Sequence, residues 1–203
     1  GKGWETWARE QLWLVDAVTG DAERLAAGAW SWGSPSLGAD DSVLVTRTAV
    51  PDGDQDQTRN QIVRLRLPTG QVGNTAPSST PVEVIERPDG FAGPPAEAPD
   101  GGAIAFIHGW ADDAFGSRNA LPTVVTAEGT RHFAAELDRP AVDCTLDDIG
   151  GPAFAESAPI WTSATAFIVP FTDKGSVRLW EQHLAGPGRW LTNEGDSASS
   201  AEL

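Results

Sequence analysis

Two short units alternate along the chain, and that alternation constrains the fold more than any other feature. The first is a strand followed by a glycine turn: "QLWLVDAVTGDAERL", "NQIVRLRLPTGQV", "LPTVVTAEGTRHF" and "VRLWEQHLAGPGRWL". Its turn glycines, Gly20, Gly70, Gly129 and Gly186, lie about 50, 59 and 57 residues apart, the upper range for a four-stranded propeller blade. The second unit is a short strand, a tight polar turn and a strongly apolar strand: "SPSLGADDSVLVTRT", "AEAPDGGAIAFIHG" and "SAPIWTSATAFIVP". Its turn is clearest at Pro99-Asp100-Gly101, where Pro presets φ at the first corner and Gly accepts a positive φ at the next. It degenerates to Gly38-Ala39-Asp40-Asp41 in the first copy and Thr162-Ser163-Ala164 in the third.

Together the units predict blades of four antiparallel strands, A to D. Strand A ends near Ser36, Ala98 and Trp161; strand B covers Val43–Thr46, Ile104–Ile107 and Phe167–Val169. Strand C covers Ile62–Leu67, Thr123–Thr126 and Val177–Glu181; strand D covers Val82–Ile85, Thr130–Phe133 and Arg189–Leu191. Leu12–Val15 and Ala22–Leu25 read as strands C and D of an earlier blade. No segment sustains helical periodicity, and 22 Gly and 15 Pro punctuate the apolar runs. The expected class is all-β: a β-propeller arc of about three and a half blades from a larger ring, with a small ring closed by both ends as the other reading. The expected divisions are 1–28, 29–90, 91–150 and 151–203.

Charge narrows the function. With 14 Lys and Arg against 29 Asp and Glu, the formal net charge is −15, the wrong sign for nucleic acid or an anionic membrane surface. No apolar run approaches the eighteen or so residues of a membrane span. A single cysteine, Cys144, forms no internal disulfide and points to a reducing compartment, hence a cytoplasmic expectation. Gly1-Lys2-Gly3-Trp4 does not read as a secretory signal, and both termini read as cut.

Candidate chemistry is sparse. His108, His132 and His183 fall near the ends of strands B, D and C, each without a neighbouring His or Cys at ligand spacing, and read as edge or core residues. Asp52, Asp54 and Asp56 open like a calcium loop, but Gln57 and Val63 stand where Gly and Glu are required, so they read as a solvated hairpin tip. The pair Asp147-Asp148 before Ile149-Gly150-Gly151 reads as a turn. Trp13, Trp161, Trp180 and Trp190 recur at equivalent strand positions and read as packing between blades; Trp4, Trp7, Trp30, Trp32 and Trp110 are left over. No metal or other cofactor is expected. The long B–C connections, "AVPDGDQDQTRN" and "GWADDAFGSRNA", share one rim, opposite the Pro-Asp-Gly turns. Long loops of this kind are functional or mobile, so the candidate binding residues are Arg59, Asn60, Arg118 and Asn119 on this rim.

Several segments resemble the propeller domain of prolyl oligopeptidase-family serine peptidases, in particular the acylaminoacyl-peptidase-like branch. They are "QLWLVDAVTGDAERLAAG", "APDGGAIAF", "AELDRPAVDCTLDDIGGPAFAESAPIW" and "TDKGSVRLWEQHLAGPGRWLTNEG". The "PDG…IAF" repeat is shared with TolB-type propellers. The resemblance implies a non-catalytic domain that gates a Ser-Asp-His α/β-hydrolase domain and admits short or acylated peptides. No G-x-S-x-G nucleophile elbow occurs, so no catalytic residue is assigned to this chain. The implied partners are the hydrolase domain, in the same or a separate chain, a peptide substrate, and another copy of the chain over exposed blade edges. The alternative is a free-standing TolB-like propeller serving as a protein-binding scaffold. A propeller lactonase or glycosidase would instead need acidic or metal ligands converging on the tunnel.

Overall fold

Short apolar runs cut by Gly, Pro and Asp leave the backbone two ways to satisfy its hydrogen bonds, and neighbouring hairpins are the economical one. A computed structural model describes residues 9–26, 28–49, 60–68, 81–111, 118–144 and 157–198. It is all-β, built of antiparallel blades. A leading hairpin pairs β1 (Trp13–Val15) with β2 (Ala22–Arg24). The next sheet runs in order through β3 (Ser31–Gly38), β4 (Ser42–Thr48), β5 (Gln61–Arg66) and β6 (Val82–Glu86). The following sheet places β7 (Gly90–Ala92) and β8 (Ala96–Glu97) on β9 (Ala103–Trp110), then β10 (Leu121–Thr126) and β11 (Gly129–His132). After a 3-10 turn at Ala135–Leu137, the last sheet orders β12 (Ile160–Ser163), β13 (Ala166–Asp173), β14 (Ser176–His183) and β15 (Arg189–Trp190). These three sheets are called here the first, second and third blades.

The tight turns form as their residues require. Gly101 takes φ +72°, and Gly102 N–H donates to Asp100 Oδ1 at 2.9 Å. In the degenerate first copy Asp40 and Asp41 take φ of 53° and 50°, the left-handed region that Asp tolerates better than most residues. The inner strand of the second blade ends near Ala98 as expected, and it comes in two pieces, β7 and β8, both on β9. Gly93-Pro94-Pro95 separates them, and two prolines in a row offer no N–H to the ladder.

Alternation along each central strand buries both faces. Ala103, Ala105 and Ile107 of β9 pack with Phe133, Phe167, Val169, Phe171 and Trp180 between the second and third blades. Phe106, on the other face, meets Ile62 and Ala92 toward the first blade. A further cluster of Leu12, Leu25, Trp32, Val43, Val45, Val63 and Leu65 joins the leading hairpin to the first blade. Trp161, Trp180 and Trp190 belong to the packing between blades, whereas Trp13 is 55% exposed.

The seam between the first and second blades is the least apolar and is stitched by polar groups. Arg64 Nη2 meets Glu97 Oε1 at 2.5 Å, and Ala39 N–H donates to the other oxygen of Glu97. Ser36 Oγ donates to Pro95 O at 2.6 Å. On the neighbouring seam Trp161 Nε1 donates to Ala96 O at 3.0 Å.

Where β7 reaches the end of β9, the backbones approach so closely that only glycine fits. Gly90 has φ +144°, and a Cβ added there would sit 1.9 Å from Gly109 O. Gly90→Ala is expected to lift β7 from β9 at a cost of about 1–3 kcal/mol. Urea denaturation checks this, with a lower midpoint and an unchanged slope as the expected result.

Candidate functional site

The ends of β4, β9 and β13 and the starts of β5, β10 and β14 lie on one rim of the blades, and in the sequence two of the three connections between them are long. Of the four rim residues singled out from sequence, Arg59 lies outside the described residues. Asn60 turns inward: its Nδ2 donates to Ala92 O and its Oδ1 accepts from Ala92 N–H, both at 2.7 Å. Its amide therefore fills a ladder position between the first blade and β7. Arg118 and Asn119 come together around Trp110. The Arg118 guanidinium lies 3.8 Å from the Trp110 ring centroid, a cation–π contact, and Trp110 Nε1 donates to Asn119 O at 3.1 Å. Asn119 Nδ2 in turn donates to Asp138 Oδ1 at 2.9 Å.

From Asp138 the polar contacts pass to the third blade. Arg139 Nε donates to Asp173 Oδ1 at 2.9 Å, and Arg178 Nη1 donates to Asp173 Oδ2 at 2.8 Å. Hydrogen bonds from these two guanidiniums hold the Asp173 carboxyl below the usual carboxylate range. Arg178 Nη2 reaches Thr192 O at 2.9 Å, and its guanidinium stacks 4.0 Å from the Trp190 ring centroid. The segment after Arg139 is laid against β13: Thr172 N–H donates to Pro140 O, Thr172 Oγ1 to Val142 O, and Cys144 N–H to Thr172 Oγ1. Burial pushes the Cys144 thiol above its ordinary range, which disfavours the reactive thiolate.

Sequence spacing separated His108 from His132, but strand register joins them. Leu121 pairs with His108, and Thr123 pairs with both Phe106 and His132, so all three rings share one face of the sheet. The imidazole centroids are 5.0 Å apart, edge to face, and Trp110 lies 4.5 Å from His108 and 5.1 Å from His132. Thr123 Oγ1 donates to Leu121 O at 3.2 Å and lies 2.8 Å from His132 Nδ1; both bonds form together when Nδ1 carries the proton. Burial lowers the pKa of both imidazoles; the other imidazole adds to this at His108, and Arg118 adds to it at His132. The Thr123 hydroxyl bonded to His132 is fully buried and out of substrate's reach, so the arrangement is no nucleophile–base pair.

His183, at the far end of β14, sits 3.5 Å from Glu181 Oε2. Asp52, Asp54, Asp56, Asp147 and Asp148 lie outside the described residues. Among the described residues no group of three or more His, Cys, Asp or Glu side chains is placed to hold a metal ion, and no helix is long and apolar enough to cross a membrane. On the opposite rim a cleft of about 400 Å³ opens between Val124, Phe133 and Leu184. Its cation, Arg131, lies 4.8 Å over Phe133 and donates to Leu184 O at 3.0 Å.

No protein-family model and no curated protein matches the chain. Among solved structures it is similar to TolB from Acinetobacter baumannii, at 17% identity and TM-score 0.59, over 92% of this chain and 38% of that one. It is also similar to a puromycin-hydrolyzing peptidase of Mycobacterium tuberculosis, at 17% identity and TM-score 0.62, over 90% of this chain and 26% of that one. The chain thus spans well under half the length of either structure. At such identity the likeness speaks to architecture, and the architecture is that of β-propeller blades.

Proposed function

We propose that the chain is the non-catalytic propeller portion of a serine peptidase of the prolyl oligopeptidase type, acylaminoacyl-peptidase-like, where it gates access to an α/β-hydrolase domain. One observation carries this reading. Trp110, Asn119, Asp138, Arg139, Asp173 and Arg178 form a continuous line of polar contacts along one rim, crossing from the second blade to the third. Side chains held in this way lose little further freedom when a second domain docks, which lowers the entropic cost of association. The "LDRPAVDC" segment, part of the peptidase resemblance, supplies two of those residues and lies on the same rim. Arg59, Asn60, Arg118 and Asn119 are the proposed rim contacts, with the Asn60 amide also bonded to Ala92. In this reading hydrolysis takes place at a Ser-His-Asp triad in the partner domain, and the blades exclude folded polypeptides by size.

The test uses the natural protein that carries this sequence, treated with a serine-directed fluorophosphonate and with peptides of increasing length. Labelling of a hydrolase domain, with peptide cleavage falling steeply as length grows, is the expected result. Absence of label overturns the reading. The similarity to TolB over 92% of the chain favours a second reading, a protein-binding scaffold. That reading requires a protein partner bound at fixed stoichiometry and no hydrolase label. Cytoplasmic location and self-association belong to the first proposal and are read by fractionation and sedimentation.

A further inference from the structure

A neutral imidazole carries one N–H donor and one lone-pair acceptor, and burying either without a partner costs free energy. His108 is only 5% exposed; no side chain hydrogen-bonds its ring nitrogens, and its polar neighbour is the backbone of Asp89. It is clamped between Trp110 and His132, with Phe106 stacked at 6.3 Å. This cluster ties together three pieces of chain. Trp110 ends β9 and holds Asn119 at the foot of β10. His132 ends β11, and His108 lies opposite Ala92 of β7. The 400 Å³ cleft offers less, because its cation is already engaged by Leu184 O and Phe133.

The surroundings decide what the pair can take. Glu86, at the end of β6, faces both imidazoles and favours their protonated form; at His108 the backbone and carboxylate of Asp89, between β6 and β7, do so as well. Glu86 is already engaged, accepting from Thr130 Oγ1 and Arg87 N–H. Arg118, ahead of β10, opposes protonation of His132, and His132 opposes protonation of His108. Burial outweighs the groups that favour protonation at both rings, so each imidazole is held below its ordinary value of 6.5. A metal ion is a poor occupant, because no third ligand joins the pair among the described residues and Arg118 adds a cation.

We propose that His108, Trp110 and His132 form a proton-sensitive clasp, whose protonation in mild acid releases the end of β9 from β7 and from the foot of β10. The clasp does not depend on a hydrolase domain, so it stands or falls separately from the peptidase reading. An opened imidazole titrates near 6.5, so each one multiplies the opening equilibrium by up to about tenfold between pH 7.5 and 5.5, and the pair by up to about a hundredfold.

Hydrogen exchange of the intact protein at these two pH values, corrected for intrinsic amide rates, reads this directly. Amides of β7 and of residues 107–111 are expected to lose protection by about tenfold or more, while the β13–β14 hairpin keeps its own. His132→Phe keeps a ring in place and removes one of the two factors, so the loss is expected to shrink to about the square root of the parent's. Should that variant fail to fold, histidine proton resonances of the unsubstituted protein carry the test. Unchanged protection at β7, equal loss in the control hairpin, or two imidazoles titrating at or above 6.5 each overturn the clasp.

Discussion

Arg64→Met is expected to destabilise the protein by about 3–5 kcal/mol, because it strands the carboxylate of Glu97 in the seam between the first and second blades. The Glu97 side chain is only 4% exposed, and Arg64 is its cationic partner at 2.5 Å. Little apolar burial can compensate, since the core at this seam is small: Ile62, Ala92 and Phe106, with Ile85 and Val125 against it. Glu83 does not share the loss, as it lies 3.9 Å from Arg64 on the solvent side and is 68% exposed. Adding Glu97→Gln to Arg64→Met removes the stranded charge yet leaves an amide oxygen to accept the Ala39 N–H. The double variant is therefore expected to recover more than half of the loss. Urea denaturation of the two single variants and the double variant closes the cycle. An Arg64→Met variant within 1 kcal/mol of the parent would falsify the view that this ion pair fastens the seam.

That seam also marks where sequence reading ends. Strands B and C were legible because period-two apolar runs stand between turn residues, so Ile104–Ile107 falls within β9 and Thr123–Thr126 within β10. Most boundaries agree to a residue or two, the spread expected where ladders fray, but β9 and β13 run on past the expected ends at Ile107 and Val169 to Trp110 and Asp173. The break between β7 and β8 has its signal in Gly93-Pro94-Pro95, just ahead of the strand end expected near Ala98. The contacts that shape the site left weaker signals, because they join residues far apart in the chain. Arg64 and Glu97 are 33 positions apart, and His108 meets His132 only once two hairpin registers are known. Counting residues for ligand spacing finds histidines on one helix or loop, not histidines brought together across a sheet. Asn60 shows a different limit. Its side chain carries a carbonyl and an N–H spaced much like a peptide unit, so it serves as backbone as readily as it serves a ligand.

Asp173→Ala is expected to cost about 3 kcal/mol at neutral pH and progressively less in acid. The carboxylate accepts from both Arg139 and Arg178, and it is 9% exposed; its place just beneath the surface puts the effect at the low end for a broken buried pair. Without it Arg178, itself 10% exposed, loses the anion that holds it over Trp190 and against Thr192 O, so β15 is expected to fray from β14. The pH dependence follows from the direction of the shift. A carboxyl held below its ordinary 3.8 contributes stability in full above that value and loses it as pH falls through the folded-state pKa. The histidine pair has the opposite shift for its charge type: held below 6.5, it costs nothing above that pH and destabilises the fold as the unfolded chain takes up protons beneath it. Stability is therefore expected to fall in two steps on acidification, one beginning near pH 6.5 and one below about pH 4. Asp173→Ala should abolish part of the second step and leave the first intact. Lys174→Ala is the control: its pair with Glu194 joins two well-exposed side chains and is worth about 0.5 kcal/mol or less. Urea denaturation from pH 7.5 to 3 measures all of this. A parent–variant difference that stays constant down to pH 3 would remove Asp173 from the acid transition.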